Sequence, residues 1–418
     1  MSLTLRHSLA LGIAAGCVAA LSVSVSASGA ATQADLDALL TLYDRAPNGP
    51  VKNALAAEID AAAHQKYATV SRLYWHTSLE SAMEAARAHG RPILHLRMLG
   101  RLDEDLSCAN SRLFRATLYA NQEVSAFLRE RFVLYWSSER PVPHVTIDYG
   151  DGRRLERTTT GNSAHYVLDQ DGNVLDVLPG LYAPEVFRRE LEGSLTLATR
   201  VRGESDEIRA RLIADFHRER AEAARQDWQL VSDRLRLPLA QLRIEPRAQT
   251  ELVAAQIRTM TKAAVELKDL NAFAPELAPE TLPENQVALW SAIGRWLYQG
   301  GDGTSLLAPS TLDRASRSLI EDLYDAVPDD MRATAGQREA MLARLEQLMT
   351  ADTALNQLRL RPQISREIVR RGGRIDFASL NAWVYAEVFR TPPQDAWLGL
   401  VPRDVFTGLP GDGIVVVR

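Results

Sequence analysis

The stretch GRPILHLRM, from Gly90 to Met98, decides the fold because it ends one element and begins the next. Gly90 follows a helical pattern at Leu79–His89, and glycine is the residue that most often ends a helix. Pro92–Met98 then carries closely spaced apolar residues after a proline, which is typical of a buried strand. The sequence here predicts a helix followed directly by a core strand.

The same alternation of helix and strand extends outward from Tyr67 to about Thr199. Glycine and aspartate clusters mark the turns between the strands. The predicted elements are a helix at Ala109–Arg131 with a break near Asn121, a strand at Phe132–Trp136, a hairpin at Val145–Thr159, strands at His165–Leu168 and Val174–Leu178, and a helix from Pro184.

Beyond Gly203 the sequence predicts an almost wholly helical region. Its helices are expected at Ser205–Leu235, Arg247–Leu267, Glu284–Tyr298, Ser310–Ala326, Ala335–Met349 and Leu380–Phe389. We therefore divide the chain into residues 1–30, a helical segment at 31–66, an α/β domain at 67–199 and an all-helical domain at 200–418.

The first thirty residues are typical of a secretory signal peptide. Arg6 is the only formal charge before Asp35, and an apolar run is followed by small residues that predict cleavage near Ala27 or Ala30. The sequence before Cys17 resembles a lipoprotein cleavage box, but the apolar run continues past it, which argues against lipidation. We expect a periplasmic or secreted protein without a membrane span in the mature chain.

Charge and cysteine content exclude several classes of protein. The formal net charge is -5, from 48 basic and 53 acidic side chains, so no nucleic acid partner is expected. The chain has two cysteines, and Cys108 is the only one left after cleavage of the signal peptide. A disulfide framework and an all-cysteine metal site are therefore excluded.

Several short motifs occur in a fixed order in the α/β region. They are Trp75–Arg87, Gly90–Leu94, Cys108-Ala109-Asn110-Ser111, Asn121–Leu134 and Tyr166–Leu175. Together they resemble the thioredoxin-like domain of periplasmic disulfide-interchange proteins, over about 30% of the chain. The resemblance implies a thioredoxin-like α/β domain, with a central mixed sheet flanked by helices, followed by an all-α domain.

Three features differ from this family's pattern. Ser111 stands where the family has the second cysteine of C-x-x-C, and a hydroxyl cannot resolve a mixed disulfide. Ser163 stands at the cis-proline position, so a trans peptide bond is expected there. The Val145–Thr159 hairpin stands in place of a crossover helix, and we expect it to pass over the sheet near the active-site edge.

Carried over from the resemblance, Cys108 falls on the family's nucleophilic cysteine, at the start of a helix. Asn110 and Ser111 are suited to hydrogen-bond a sulfur anion. One hypothesis is a monothiol that forms mixed disulfides with a small thiol or with a cysteine of a partner protein, without dithiol reductase activity. The alternative is a non-enzymatic binding or scaffold protein, in which Cys108 packs as a small apolar residue.

Two histidines were considered as partners of Cys108. His165 lies two residues after the cis-proline position, and His144 lies at the start of the inserted hairpin. Either could serve as its base or complete a thiolate–imidazole metal site, while a hydrogen-bonded strand histidine is the alternative for His165. The spacings match no metal motif, so we expect no metal and no cofactor.

Two simpler expectations complete the sequence analysis. Cys108 is expected at the surface, so that Cys108→Ser leaves the melting temperature nearly unchanged. We expected the remaining histidines to be solvated or to cap helices; they are His64, His76, His89, His95 and His217.

Overall fold

A computed structural model describes residues 31–158, 163–235, 284–298 and 312–389 of this protein. Three sequence predictions lie outside the described residues: the signal peptide at 1–30, the helix at Arg247–Leu267 and the trans bond before Ser163. The structure is a four-stranded mixed sheet flanked by helices, with a helical region after it.

Thirteen α-helices lie in the described part of the chain. They are α1 Gln33–Arg45, α2 Pro50–Ala63, α3 Ala68–Ser71, α4 Leu79–His89, α5 Ala109–Leu113, α6 Gln122–Arg131, α7 Pro184–Val201, α8 Asp206–Leu235, α9 Glu284–Leu297, α10 Arg314–Tyr324, α11 Ala335–Leu355, α12 Arg361–Arg370 and α13 Phe377–Trp383. Short π-helical turns at Phe114–Leu118, Asn356–Leu360 and Val384–Val388 follow α5, α11 and α13.

Six strands form two separate sheets. They are β1 Ile93–Leu99, β2 Val133–Arg140, β3 His144–Asp148, β4 Arg154–Thr158, β5 Ala164–Leu168 and β6 Val174–Pro179. The main sheet has the order β2-β1-β5-β6, with β1 parallel to β2 and antiparallel to β5. Strands β3 and β4 form a two-stranded antiparallel sheet of their own.

Local capping signals explain why the predicted elements begin and end where they do. The Ser78 side chain accepts a hydrogen bond from the Ser81 amide at the start of α4, and Gly90 ends the helix with φ 66°. Asn121 caps α6 in the same way, which confirms the predicted break. The four predicted core strands are confirmed. Each begins within two residues of its predicted start, and β2 ends four residues later than predicted.

The connection from β2 to β5 corrects our reasoning about the crossover. Strand β1 lies between β2 and β5, and these two strands run in opposite directions, so they are not parallel neighbours. The chain crosses from one side of β1 to the other and forms the β3–β4 hairpin on the way. The hairpin therefore lies within the connection that takes the chain from β2, on one side of β1, to β5 on the other side.

One continuous hydrophobic core includes the sheet and the helical region. It begins at Leu73 and extends to Phe389, and its buried residues come from the strands and from helices on both sides of Gly203. Residues 31–68 pack as a small separate core around Leu36 and Ile59. The apolar stripes of the later helices are therefore buried partly against the α/β region.

Buried charges also join the sheet to the helical region. On β6, Asp176 is fully buried and pairs with Arg361 of α12 at 2.5 Å. The same guanidinium contacts Glu190 of α7 at 2.6 Å, and Arg220 of α8 pairs with Glu190 as well. Although burial acts to raise it, the pKa of Asp176 is lowered by the guanidiniums of Arg361 and Arg220. A charge in an otherwise apolar strand is thus matched by charges from distant helices.

None of the helices in the described ranges combines the length and the apolar character that crossing a bilayer requires.

Candidate functional site

Cys108 lies at the N-cap position of α5, immediately after the loop that leaves β1. The Cys108 amide donates to the carbonyl of Leu99 at 3.2 Å, which holds the end of this loop against the end of the strand. The helix is one turn long and continues into the π-helical turn Phe114–Leu118. The predicted placement of Cys108 at the start of the helix after β1 is confirmed.

Two serine hydroxyls lie against the Cys108 sulfur. The Ser163 Oγ is 3.1 Å from the Sγ, and the Cys108 thiol donates to the Ser111 Oγ at 3.4 Å. Ser111 reaches the sulfur because it lies one helical turn after Cys108. Ser163 reaches it because it directly precedes β5, the antiparallel neighbour of β1. The structure therefore brings together three of the five residues predicted for the site.

Further polar groups surround these hydroxyls. The Ser111 hydroxyl also contacts Ser107 Oγ at 2.7 Å, and Arg115 donates to Ser107 Oγ at 3.0 Å. Arg115 is itself 1% exposed and donates to the carbonyls of Leu102 and Glu104. A buried guanidinium is thus linked to Cys108 through two serine hydroxyls.

The burial of Cys108 contradicts our expectation of a surface thiol. Its side chain is 0% exposed, as are those of Ser107, Ser111 and Ser163. The expectation failed because it treated the helix start as open, whereas other elements cover it. A substitution at Cys108 is therefore a core substitution.

Asn110 is buried next to this cluster, but its side chain makes no hydrogen bond to it. The side chain is 0% exposed, and neither its Nδ2 nor its Oδ1 has a hydrogen-bond partner. The predicted hydrogen bond from Asn110 to the sulfur is absent from the described contacts. A buried amide without partners is rare in native proteins because each unsatisfied group costs about 1–3 kcal/mol.

His165 is a hydrogen-bonded strand histidine. Its Nε2 lies 2.7 Å from the Tyr119 hydroxyl, and its ring packs against Phe114 and Phe187. Burial lowers the pKa of His165 to about 3, so the ring is neutral at physiological pH. The contacts described for His165 do not include Cys108, so they give no support to its role as a base.

The other histidines range from exposed to buried, with His64 and His76 half-buried. His64 caps the end of α2, as expected, and His76 Nδ1 lies 2.9 Å from Ser81 Oγ. His144 is exposed at the start of β3, and His89 is exposed at the end of α4.

His95 and His217 are 3% and 1% exposed, which corrects the expectation that they are solvated. Burial lowers the pKa of His217 to about 4. Both lie where the sheet packs against helices, a contact that local sequence does not reveal.

The end of the β3–β4 hairpin covers the outer side of the cysteine loop. Thr158 is 2% exposed, and its Oγ1 accepts from Arg112 Nη2 at 2.8 Å. The same hydroxyl donates to the carbonyl of Ser107 at 3.4 Å. Ser107 directly precedes Cys108, so the last residue of the hairpin lies next to the cysteine loop.

Two fully buried tyrosines, Tyr119 and Tyr385, lie in the same core as Cys108, one from each half of the chain. Burial, with a smaller contribution from the charge that Cys108 would carry as a thiolate, raises the pKa of Tyr119 well above its ordinary value. Burial is also the largest cause of the raised pKa of Tyr385, to which Cys108 adds. Tyr385 lies in the π-helical turn after α13 and its hydroxyl donates to the carbonyl of Arg97 at 3.5 Å, so the helical region packs against β1.

Sequence reasoning missed Ser107, Thr158 and Tyr119 as neighbours of Cys108. The run Ser107–Ser111 is rich in hydroxyl and amide side chains, and this is a signal that could have indicated a polar cluster. Thr158 is 51 residues from Ser107 in sequence, so only the tertiary fold reveals that contact. Across the described ranges, no group of three or more histidine, cysteine or acidic side chains is arranged to hold a metal ion.

Comparison of this chain with protein-family models, with curated proteins and with solved structures finds no match. The interpretation of the site therefore rests on its own geometry and chemistry.

Proposed function

We propose that this protein is a thioredoxin-like monothiol that acts through Cys108 in thiol–disulfide exchange. The strand order β2-β1-β5-β6 supports this, because it is the order expected of a thioredoxin-like sheet with its cysteine after β1. The position of Ser163 supports it too, because the residue at the family's cis-proline position lies 3.1 Å from the sulfur.

The observation that carries the proposal is the polar surroundings of the thiol. A cysteine kept only as a small apolar residue needs apolar neighbours. Cys108 has such neighbours, because it belongs to the main hydrophobic core, but its sulfur also lies against the hydroxyls of Ser111 and Ser163, with Ser107 and the Arg115 guanidinium behind them. These polar groups hydrogen-bond to one another and to backbone carbonyls, which offsets the cost of burying them. The two hydroxyls beside the sulfur are also suited to donate to it when it carries the negative charge of a thiolate.

The proposed exchange proceeds in two steps. The Cys108 thiolate attacks a disulfide, its Sγ bonds to one sulfur, the S–S bond breaks, and the other sulfur leaves as a thiolate that takes up a proton. An external thiol, either a small thiol or a partner cysteine, then attacks the adduct and releases the Cys108 thiolate. Ser111 has no sulfur with which to do this, so the adduct persists until such a thiol arrives.

A second candidate function is favoured by the complete burial of Cys108. In this alternative the protein is a non-enzymatic binding or scaffold protein, and the thiol is a structural group. Buried structural cysteines are inert toward reagents in solution. The two candidates therefore differ in whether Cys108 reacts while the rest of the protein stays folded.

Alkylation of Cys108 by iodoacetamide at increasing low concentrations of urea tests the proposal. A functional thiol becomes accessible through a local opening, so the labelling rate stays nearly independent of urea well below the unfolding transition. The Cys108→Ala variant is the control, and any label that it incorporates belongs to Cys17 and is subtracted. A rate that rises with urea as steeply as global unfolding would support the scaffold alternative instead.

A gain-of-function variant gives a second test. Ser111→Cys is expected to form an intramolecular disulfide with Cys108 and to acquire some disulfide reductase activity. Ser107→Cys serves as the matched control, because it places a sulfur next to Cys108 but outside the C-x-x-C spacing. Equal behaviour of the two variants would contradict the proposed geometry.

We also propose that the protein is exported to the periplasm or secreted. The charge-free stretch between Arg6 and Asp35 carries this proposal. N-terminal sequencing of protein isolated from its native host is expected to begin between Ser28 and Gln33. Recovery of an intact Met1 in a cytoplasmic fraction would contradict it.

A further inference from the structure

We infer that Arg115 is a positioning residue for the proposed monothiol reaction and that it supports the Cys108 thiolate through a chain of two serine hydroxyls. The inference rests on the proposed function. Arg115 lies in the π-helical turn that continues α5, and its side chain is 1% exposed. The hydrogen bonds described for its guanidinium go to Ser107 Oγ and to the carbonyls of Leu102 and Glu104, so it acts on the sulfur only through other groups.

The positive charge of Arg115 is buried without a carboxylate paired to it. Across the described ranges no ion pair includes this guanidinium, and its Nε has no hydrogen-bond partner. Two acidic side chains close to it in sequence are paired elsewhere, Glu104 with Arg101 at 3.3 Å and Asp105 with Lys66 at 3.4 Å. Burial lowers the pKa of Arg115, because hydrogen bonds to carbonyls offset only part of the cost of burying a charge. An anion linked to this guanidinium is therefore stabilised by it.

The chemistry of the three links gives the chain of hydrogen bonds a direction. A guanidinium only donates, whereas a hydroxyl both donates and accepts. Arg115 Nη2 donates to Ser107 Oγ at 3.0 Å, which leaves the Ser107 hydrogen able to point to Ser111 Oγ, 2.7 Å away. The Ser111 hydrogen is then able to point to Cys108 Sγ, 3.4 Å away. With this arrangement every link donates toward the sulfur.

The thiol and the thiolate of Cys108 use this chain differently. In the thiol, Sγ donates to Ser111 Oγ, and the Ser111 hydroxyl also lies 2.9 Å from the Cys108 carbonyl, to which it donates. When the thiol loses its proton to a base in solution, the sulfur becomes an acceptor and both serine hydroxyls turn toward it. This change moves hydrogens only, and it connects the anion to the buried cation by charge-assisted hydrogen bonds. Arg115 therefore stabilises the thiolate more than the thiol.

The ultraviolet absorbance of the thiolate measures this effect without requiring access to the sulfur. Each protein is titrated from neutral to alkaline pH, and the absorbance of the same protein carrying Cys108→Ala is subtracted to remove the tyrosines. Ser107→Ala breaks the chain, and at a given pH we expect it to lower the ratio of thiolate to thiol about 2- to 10-fold, as the loss of one ordinary hydrogen bond implies. Ser125→Ala is the matched control, because Ser125 is a buried serine of α6, and it should titrate as the parent does.

Substitution of the guanidinium gives the larger expected effect. Arg115→Met removes the cation, and the ratio of thiolate to thiol should fall roughly 10- to 100-fold, as the loss of a hydrogen-bonded charge implies. Arg115→Lys keeps the positive charge and is expected to titrate between the parent and Arg115→Met. Ser107→Ala decides the question even if Arg115→Met does not fold.

The outcomes separate this inference from the proposed function. If parent Cys108 is alkylated through a local opening but Ser107→Ala and the folded Arg115 variants all titrate as the parent does, Arg115 has only a structural role and the monothiol stands. A parent protein that stays folded at alkaline pH without a thiolate signal also overturns the inference. If in addition Cys108 is alkylated only on global unfolding, the monothiol is wrong as well.

Discussion

The two hairpins of this protein have the same local design but opposite surroundings. Both turn on glycines with positive φ, at Gly150 and Gly152 between β3 and β4 and at Gly172 between β5 and β6. Every side chain of β5 and β6 is buried, whereas Thr158 alone is buried among the described side chains of β3 and β4. Turn chemistry makes a hairpin, but it does not decide whether the hairpin joins the core.

The apolar content of the strands accounts for the difference. Strands β5 and β6 read AHYVL and VLDVLP, which are nearly continuous apolar runs suited to burial on both faces. Strands β3 and β4 read HVTID and RLERT, in which polar and apolar residues largely alternate, so that one face of this hairpin is wholly polar. The β3–β4 hairpin is therefore mostly exposed and contacts the cysteine loop through Thr158, whereas Ser163, directly before β5, contacts the sulfur itself.

Charge pairs give the sharpest contrast between the hairpins. Arg361→Met is expected to reduce the free energy of unfolding by about 3–5 kcal/mol, because it leaves Asp176 of β6 buried without its partner. Arg154→Met removes the exposed pair with Asp148 in the other hairpin and should change stability by less than about 1 kcal/mol. Urea unfolding measures both, and equal effects would contradict the comparison.

Truncation of an apolar side chain tests the same contrast without charge. Leu178→Ala on β6 is expected to destabilise the protein by about 2–5 kcal/mol, because Leu178 is fully buried and its loss leaves a cavity. Leu155→Ala on β4 is the matched control, since Leu155 is only partly buried, and a loss below about 1 kcal/mol is expected. A large loss for Leu155→Ala would show that the exposed hairpin packs more firmly than described.

The buried histidines predict loss of stability in mild acid. Burial lowers the pKa of His165 on β5 to about 3 and that of His217 to about 4, from 6.5 in the unfolded chain. The unfolded state therefore binds more protons below pH 6.5, and stability falls as the pH falls. Between pH 6 and pH 5 the two histidines should lower the free energy of unfolding by about 2 kcal/mol.

Replacement of one histidine checks this pH dependence. Urea unfolding of His165→Gln over the same pH interval should show a loss smaller by about 1 kcal/mol than in the parent. If the free energy of unfolding falls equally with pH in the two proteins, His165 is not a neutral buried group.

The smallest expected change in the free energy of unfolding is that of a substitution at Cys108. Cys108→Ala is expected to reduce stability by about 1–2 kcal/mol, because it removes a buried sulfur from contact with Ser163. Ser125→Ala is the control, because Ser125 is a buried serine in α6 that bonds to the backbone of its own helix start. Thermal and urea unfolding measure the change, and a Cys108 variant as stable as the parent would restore the surface interpretation.

The residues of the site show how far sequence reasoning reached. The spacing of Cys108 and Ser111 placed both on one turn of helix, because helical neighbours are set by short separations. Ser163 was identified only because the family resemblance places it at the cis-proline position. The buried Asp176 could have been recognised, since a carboxylate in an apolar strand requires a partner, but nothing local indicates that the partner is Arg361.

The sequence by itself determined the local elements of this protein. The caps at Ser78, Gly90 and Asn121 and the glycine turns of both hairpins act over a few residues, and their hydrogen bonds form within the same segment. Tertiary structure alone decided that the thiol is buried, that Thr158 lies beside it and that Asp176 meets Arg361, 185 residues away. Burial and long-range pairing depend on how whole elements pack, and no local pattern contains that information.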